Sequence, residues 1–556
     1  MKKNLPIILI LILAAALRLF ALDKFPAGLN ADEAAIGYNA WSLIQTGKDE
    51  HAMSWPLVFR SFDDYKPPIY FYLVVPFVKI LGLNVWSVRL PSALLGTATV
   101  YLLYLVVYLL FKKKTTDESC HIKTNNFALI TALILAVSPW HLQFSRGGWE
   151  VNAALFFILL GIWGFLKGLE KPRYFFLYVT SMAISLYTYH SARVISPLIS
   201  LTLIILYWKS LFPISSLRLP TKTFLLSCLV GVLLALPLAS QLLSKEGQSR
   251  FTGVSVFSDT GPLWQALEMR RAHQGDTVYV KALHNQYLSY GLRFVKNYLS
   301  HFSPRFLFVT GDEIARSKVP EMGQTYLFLI PFYFLGLFSL LKLDSKGKVF
   351  TLVWILIAPL AAALTFQSPH ALRSQNMVIP LSIISGLGFS VVLNLLFRSG
   401  KKWLVGSISA LLLILGGYSV GRYLHLYYVH YPKTLPYAWQ YGFDQIADYV
   451  GQQYYNYDRI LISDRYDQPY ILMAFFLKYD PRVLQQELVM TPRDKFGFST
   501  VRKFGRMEFR QINYQEDKKL SNTLIISADE PVDDKAVIYT INDPAGLPMY
   551  KFVSTK

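Results

Sequence analysis

Charge is scarce in this sequence. Asp, Glu, Lys and Arg make up 16% of 556 residues, against 53% hydrophobic and 15% aromatic side chains. A soluble protein carries roughly a quarter of its residues as charges, so this composition excludes one and implies a polytopic membrane protein. Acids are scarcer than bases, 35 against 55, which leaves a formal net charge of +20. That excess does not indicate nucleic acid, because the Lys and Arg residues sit in short clusters between apolar runs, as cytoplasmic anchors do. Cysteine is nearly missing: Cys120 falls in a basic loop and Cys228 in an apolar run, so the two support neither a disulfide nor a metal site. There is no dinucleotide fingerprint, phosphate loop, internal repeat or low-complexity stretch, and nothing in the chain calls for a nucleotide.

What is present is a series of apolar runs. The basic head and apolar stretch "MKKNLPIILILILAAALRLFAL" lack a small-residue cleavage site, so Leu5 to Leu22 is expected to be a retained first helix. Ten further runs follow, near 88–111, 127–144, 151–166, 174–189, 194–208, 224–242, 325–341, 349–366, 377–397 and 403–420, each close to the roughly 20 residues that a crossing helix needs. The run Ile69–Gly82 is shorter and carries Pro76 and Lys79. If it stays in the interface, Lys2/Lys3, "KKK" at 112–114, "KGLEKPR", Lys209 with Arg218 and Lys222, "KLDSKGK" and "RSGKK" all share one side. Charge parity therefore predicts about eleven transmembrane helices, with interfacial helices in the first outer loop, the N-terminus cytoplasmic and the C-terminus extracytoplasmic.

This arrangement places a membrane domain at 1–421, with outer loops at about 23–87 and 244–323. Residues 436–556 follow as a small extracytoplasmic α/β or α+β domain: "YAWQYGFDQIADYVGQQY" has helical periodicity, and "RILIS", "TLIIS" and "AVIYTI" are of strand length.

The first outer loop holds "LNADEAAIGYNAW". A carboxylate at a membrane edge is ordinarily a solvated loop residue. Asp32 and Glu33, however, open an apolar stretch of Ala34, Ile36, Tyr38, Ala40 and Trp41 that would embed in the interface, and ionisable groups held there are costly and point to function. A helix N-terminus would favour the ionised Asp32. Further along, "DDYKPPIYFY" sets Lys66 before two prolines that bias it to extended backbone and fix its direction. Its plain reading is a snorkelling lysine. Its loop-mate Asp32 makes a phosphate partner the sharper one.

Taken in order, "ADEAAIGYNAWSLIQTG", "YKPPIYFYLVVPFVKILG", "VRLPSALLGTATVYLLY" and "SPWHLQFSRGGWEVNAALFF" resemble the C-type (GT-C) membrane glycosyltransferases, in particular the branch of protein O-mannosyltransferases and lipid A aminoarabinose transferases. The likeness covers about the first 170 residues. It implies transfer of a sugar from a polyprenyl or dolichyl phosphate to an acceptor on the outer face of the plasma membrane. It implies that Asp32 is the catalytic aspartate, with Glu33 beside it, that Lys66 contacts the carrier phosphate, and that Glu150 takes the place of a second acid, usually Asp. The family's later phosphate-contacting lysine is replaced by "YTYHSARVISPL", which makes His190 and Arg193 the candidates. Its late arginine motif survives only as "PHALRSQNMVIP", which offers His370 and Arg373.

The chemistry asks for little more. A sugar phosphate carries its own leaving group, so the protein supplies a base, cations for the phosphate, and alignment. No cofactor is required, although a divalent cation on Asp32, Glu33 or Glu150 is compatible with clustered oxygens. The partners expected are the lipid-linked donor, an acceptor lipid, protein or glycan, and membrane lipids. The rival reading is a transporter or flippase for a lipid-linked sugar. Such sites lie at mid-membrane on broken helices of related repeats, whereas these acids lie in loops.

Overall fold

The structure is a computed structural model that describes residues 4–62, 64–112, 123–213, 219–242, 253, 255–273, 277–492 and 499–556. Cys120, Lys2, Lys3, Lys113, Lys114 and Arg218 lie outside the described residues.

The expectation of about eleven transmembrane helices is overturned. Among the described residues, six helices are long and apolar enough to cross a membrane: Val85–Phe111, Glu150–Gly168, Leu219–Gln241, Lys346–Ala363, Gln375–Arg398 and Lys402–Thr434. A seventh crossing is made if the pair Thr124–Val137 and Pro139–Ser145, bent by 58°, counts as one. The other apolar runs fold into shorter helices, Leu5–Leu19, Tyr174–Leu186, Ala192–Leu206 and Leu327–Lys342, alongside Ile69–Leu81. Hydropathy measures where apolar side chains continue, not where the backbone ladder stops, and the two diverge at turns built from apolar residues. The run 174–189, for instance, leaves the helix at Tyr187, where the chain turns through Thr188 to Ser191. The bend at Ser138 has a local cause. Pro139 forces its predecessor away from helical geometry, and Ser138 sits at φ −60°, ψ 124°.

The chain forms two compact units. The first comprises Met1–Arg18, Leu94–Ser145 and Glu150–Tyr423; the second comprises Leu19–Ala93, Arg146–Trp149 and Leu424–Lys556. The first unit is helical. Its helix Lys402–Thr434, which runs on into the second unit, has an apolar window with no buried positions, and Leu413 and Ile414 are 76% and 67% exposed. A helix whose apolar side chains are so widely exposed suits hydrocarbon, where its backbone is already satisfied internally.

In the second unit, the stretch after the first helix folds as helix Ala31–Thr46, a hairpin of β1 (Phe59–Ser61) and β2 (Asp64–Lys66), and helix Ile69–Leu81. The C-terminal stretch supplies an open sheet of β3 (Arg459–Ile462), β4 (Val489–Met490), β5 (Val501–Phe504), β6 (Met507–Phe509), β7 (Thr523–Ser527), β8 (Val537–Asn542) and β9 (Pro548–Ser554) in the order β4-β5-β6-β3-β7-β9-β8. β3 runs parallel to both β6 and β7, and the remaining pairs are antiparallel. Central parallel strands are covered on both faces and read as continuous apolar runs, as "TLIIS" does, with all five residues buried. Leu461, Ile512, Ile525 and Val553 form the core there.

Candidate active site

The site is built on the N-terminus of helix Ala31–Thr46. Asn30 caps it with extended backbone, and its side-chain oxygen accepts the Glu33 N–H at 3.1 Å. Glu33 answers by accepting the Asn30 N–H at 3.3 Å, which completes a capping box. Gly47, at φ 70°, closes the other end by donating to the Leu43 carbonyl.

The Glu33 side chain is fully buried and both of its oxygens are engaged. Oε1 accepts from Arg89 Nε at 2.8 Å and from the Gly148 N–H at 2.8 Å; Oε2 accepts from Arg89 Nη2 at 3.0 Å and Asn30 Nδ2 at 3.0 Å. The fully buried Arg89 uses its remaining donors on the carbonyls of Leu22 and Pro26, both at 3.0 Å, and of Gly28 at 2.5 Å. A buried ion pair is stable only when its leftover donors and acceptors are met, and these are. Gly148 approaches closely because it has no side chain: a Cβ would come within 2.9 Å of Val88. Gly28 adopts φ 94°, where a Cβ would meet the Trp439 carbonyl oxygen at 2.3 Å.

A second polar tie reaches the same helix start. The Gln440 side-chain oxygen accepts the Ala31 N–H at 2.6 Å, and its amide nitrogen donates to the Tyr466 and Asp467 carbonyls. Arg146, just before the glycines, donates to the Phe20 and Phe25 carbonyls at 2.8 and 3.1 Å and lies over the rings of Tyr427 and Tyr428.

With Glu33 and Ala31 fixed, Asp32 has little freedom. Its side chain is 30% exposed and forms an ion pair through Oδ1 with the ammonium of Lys66. Lys66 ends β2 opposite Phe59 in the hairpin register, is 6% exposed, and holds its Nζ 5.0 Å from the Phe62 ring centroid. Phe59 stacks on Phe71 at 4.1 Å, fixing the hairpin to the helix that follows. The pair is thus a carboxylate and an ammonium at a half-open helix N-terminus, both backed by apolar packing.

Of the residues singled out from sequence, Asp32, Glu33 and Lys66 come together. The others belong to the first unit. Glu150 opens helix Glu150–Gly168 and is 8% exposed. His190 stands in the turn after helix Tyr174–Leu186, and Arg193 Nε donates to the Leu186 carbonyl at 3.3 Å, stitching that turn. Arg373 Nη1 donates to Thr365 Oγ1 at 2.7 Å. The backbone N–H of His370 donates to His301 Nε2 at 3.2 Å, and its Nδ1 lies 3.6 Å from Asp312 Oδ2. Burial keeps His301 neutral, lowering it to about 4, and pushes the Asp312 carboxyl above its ordinary range, against hydrogen bonds from the Ile314 and Ala371 amides.

Arg89, Gly148, Asn30 and Gln440 are the residues that sequence reading passed over. Asn30 with Glu33 three positions on carries a capping-box signal. Arg89 in "VRLPS" opens an apolar helix, where an arginine requires a buried partner. Gly148 and Gln440 carry no local signal. Among the described residues, no group of three or more His, Cys, Asp or Glu is arranged to hold a metal. Glu33, with both oxygens committed to Arg89, Gly148 and Asn30, does not fit a metal ligand.

Residues 65–240 match the family model for dolichyl-phosphate-mannose-protein mannosyltransferases. The chain is 28% identical to YkcB of Bacillus subtilis (strain 168) over 181 residues, 31% of this chain and 22% of the relative. It is 31% identical to YycA of the same organism over 108 residues, 19% of this chain and 14% of the relative. The match thus spans less than a quarter of the length of either relative. In fold, the whole chain corresponds to 98% of ArnT from Cupriavidus metallidurans, solved bound to undecaprenyl phosphate, with a TM-score of 0.53 at 12% identity. It also covers 69% of the oligosaccharyltransferase from Archaeoglobus fulgidus with 94% of its own length, at a TM-score of 0.52 and 12% identity. The chain is therefore a multi-pass membrane protein that shares its fold with ArnT and the archaeal oligosaccharyltransferase and is similar over residues 65–240 to the dolichyl-phosphate-mannose-protein mannosyltransferases.

Proposed function

We propose that this protein is a glycosyltransferase that moves a sugar from a polyprenyl-phosphate carrier to an acceptor hydroxyl, with Asp32 as base and Lys66 as the contact for the carrier phosphate. The observation that carries the reading is the Asp32–Lys66 pair at a half-open helix N-terminus, whose neighbour Glu33 is wholly committed to holding that terminus in place. ArnT, which shares the fold, was solved with undecaprenyl phosphate bound, and this supports a lipid phosphate as the donor's carrier.

The pair is the resting state. An arriving phosphate competes with Asp32 for the Lys66 ammonium, and a carboxylate released from its partner can accept a proton. The acceptor oxygen then bonds to the anomeric carbon as the bond from that carbon to the phosphate oxygen breaks. The hydroxyl proton passes to Asp32, and the bonding electrons leave with the polyprenyl phosphate. Lys66 stabilises the charge that builds on the leaving oxygens, where prepositioned cations contribute most. Attack opposite the leaving group inverts the anomeric centre.

Glu33 and Arg89 act as positioning residues. On the resemblance, Glu150 is proposed as a second catalytic acid, and His190, Arg193, His370 and Arg373 as candidate contacts for the carrier phosphate. No cofactor is required, and a divalent cation would have to bind through Asp32 or Glu150 without Glu33. A cytoplasmic N-terminus and a reaction on the outer face of the plasma membrane belong to the same proposal.

The test is transfer by purified protein from a labelled polyprenyl-phosphate sugar. Lys66→Ala should raise the KM for the donor at least tenfold while the unfolding temperature stays near that of the parent. An unchanged KM would remove Lys66 from the site, and no product with any lipid-linked donor would favour a transporter.

A further inference from the structure

The sequence "TGKDEH" places a second acid, Glu50, just past the C-terminal end of the acidic helix, and the site described so far gives it no task. The residue is fully buried. Its backbone N–H donates to Asn39 Oδ1 at 2.9 Å, and its Oε1 accepts from Asn39 Nδ2 at 3.0 Å, so one asparagine grips it twice. Its Oε2 accepts from the Tyr470 hydroxyl at 3.3 Å, which comes from helix Pro469–Phe476 of the C-terminal stretch. Neutral donors of this kind hold a carboxyl in place without supplying a full counter-charge. The Tyr470 ring in turn packs edge-on against Phe62, centroids 6.0 Å apart, and the same Phe62 ring lies 5.0 Å from the Lys66 ammonium. Glu50, Tyr470, Phe62 and Lys66 thus form one cluster, in which the Lys66 charge favours the ionised form of Glu50.

We infer that Glu50 is a positioning residue for the lipid phosphate, acting through Lys66: its carboxyl sets how much of the lysine's positive charge is left for the donor. The inference rests on Lys66 as the phosphate contact. Lys66 pairs with Asp32 and belongs to the same cluster as Glu50. With Glu50 protonated, Asp32 is the lysine's single strong counter-charge of the two. With Glu50 ionised, a second negative charge enters the same low-dielectric surroundings and repels an arriving phosphate.

The surroundings put the switch in a usable range. Burial raises Glu50 to about 8, opposed by the hydrogen bonds from Asn39 and Tyr470 and by Lys66, and reinforced by Asp49. Further ionisable groups act on this cluster: Tyr38 on the acidic helix, with Asp480 and Tyr479 beyond it, and Arg60 on β1 and Asp467 through Tyr470. Burial and the Glu50 charge itself push Tyr38 up, and Arg60 acts on Asp49 and Tyr470. Asp49 Oδ1 is engaged locally, accepting the His51 and Met53 amides at 2.9 and 2.8 Å.

The sign follows from these positions. Below about pH 8 Glu50 is neutral and the phosphate binds best; as pH rises through that value Glu50 ionises and affinity falls. A unit charge acting over several ångströms at an effective dielectric near 20 gives a change of roughly three- to tenfold in Kd after partial screening.

The experiment is binding of undecaprenyl phosphate to the full-length protein in detergent between pH 7 and 9, above the second ionisation of a phosphate monoester near pH 6. The parent's Kd should rise by that factor across the range. Glu50→Gln should hold the parent's pH 7 value throughout. Tyr470→Phe removes a hydrogen bond that favours ionised Glu50, so it should move the midpoint to higher pH; this variant decides if Glu50→Gln does not fold. A parent-like pH profile in Glu50→Gln, or an unmoved midpoint in Tyr470→Phe, overturns the inference. Lys66→Ala separates the two readings. If it binds as the parent does, the phosphate contact itself is wrong; if it binds weakly while Glu50→Gln keeps the parent's slope, the phosphate contact survives and the role of Glu50 falls.

Discussion

Asp32 with Lys66 and Glu33 with Arg89 are two carboxylate–cation pairs that begin at adjacent residues, yet their surroundings differ sharply. Side chains in the first pair are 30% and 7% exposed, and in the second both are fully buried. Successive residues on a helix point about 100° apart, so one faces the opening and the next faces the protein. The Glu33 pair also recruits Asn30, the Gly148 amide and three carbonyls. Burial and the number of answered oxygens, more than charge, separate a pair with one exposed edge from one sealed inside the protein.

The sharpest way to break this comparison is Asp32→Asn, which keeps shape and removes the proton acceptor. Transfer should fall by about 100-fold to 10,000-fold, the usual range for a lost general base, with little change in unfolding temperature. Near-parent turnover in a monodisperse preparation would move the base elsewhere, with Glu150 the next residue to test.

Arg89→Met should give the opposite pattern. It strands the Glu33 carboxylate in the interior, a change that costs about 3–5 kcal/mol, and denaturant unfolding in detergent should show it. If stability held and only activity fell, Arg89 would belong with the reacting groups. A smaller effect is expected from Gln440→Ala. The buried Ala31 amide would lose its acceptor, at about 1–3 kcal/mol, and the helix start should exchange amide hydrogens faster. Unchanged exchange at Ala31 would show that this tie does not hold the helix.

How far the sequence reveals these features depends on how local their causes are. Asp32, Glu33 and Lys66 stand out because acids and a proline-flanked lysine beside apolar segments are costly without a purpose. The cap at Asn30 is readable in the spacing N-x-x-E. The buried partner of Glu33 is half readable: Arg89 at the head of an apolar helix demands an acid but does not say which. Gly148 and Gln440 lie 115 and 409 residues from their partners, and no local pattern encodes such contacts. Glu50 looks like any turn acid until Asn39 and Tyr470 enclose it. Span number failed for a related reason: hydropathy persists through turns such as that after Leu186, and backbone hydrogen bonding does not.

The second compact unit is assembled from three separated stretches, and this bears on how the molecule is made. A ribosome delivers Glu33 first, then Arg89, then Gly148, and only much later Gln440 and Tyr470. During synthesis the acid therefore waits for its buried partners while most of the membrane helices are still to be inserted. A chain interrupted between residues 148 and 440 would carry Asp32 and Lys66 with the Arg89 and Gly148 ties in place but without the Gln440 tie to the Ala31 amide. Order of manufacture thus delays the last tie at the start of the acidic helix until Gln440 has been made.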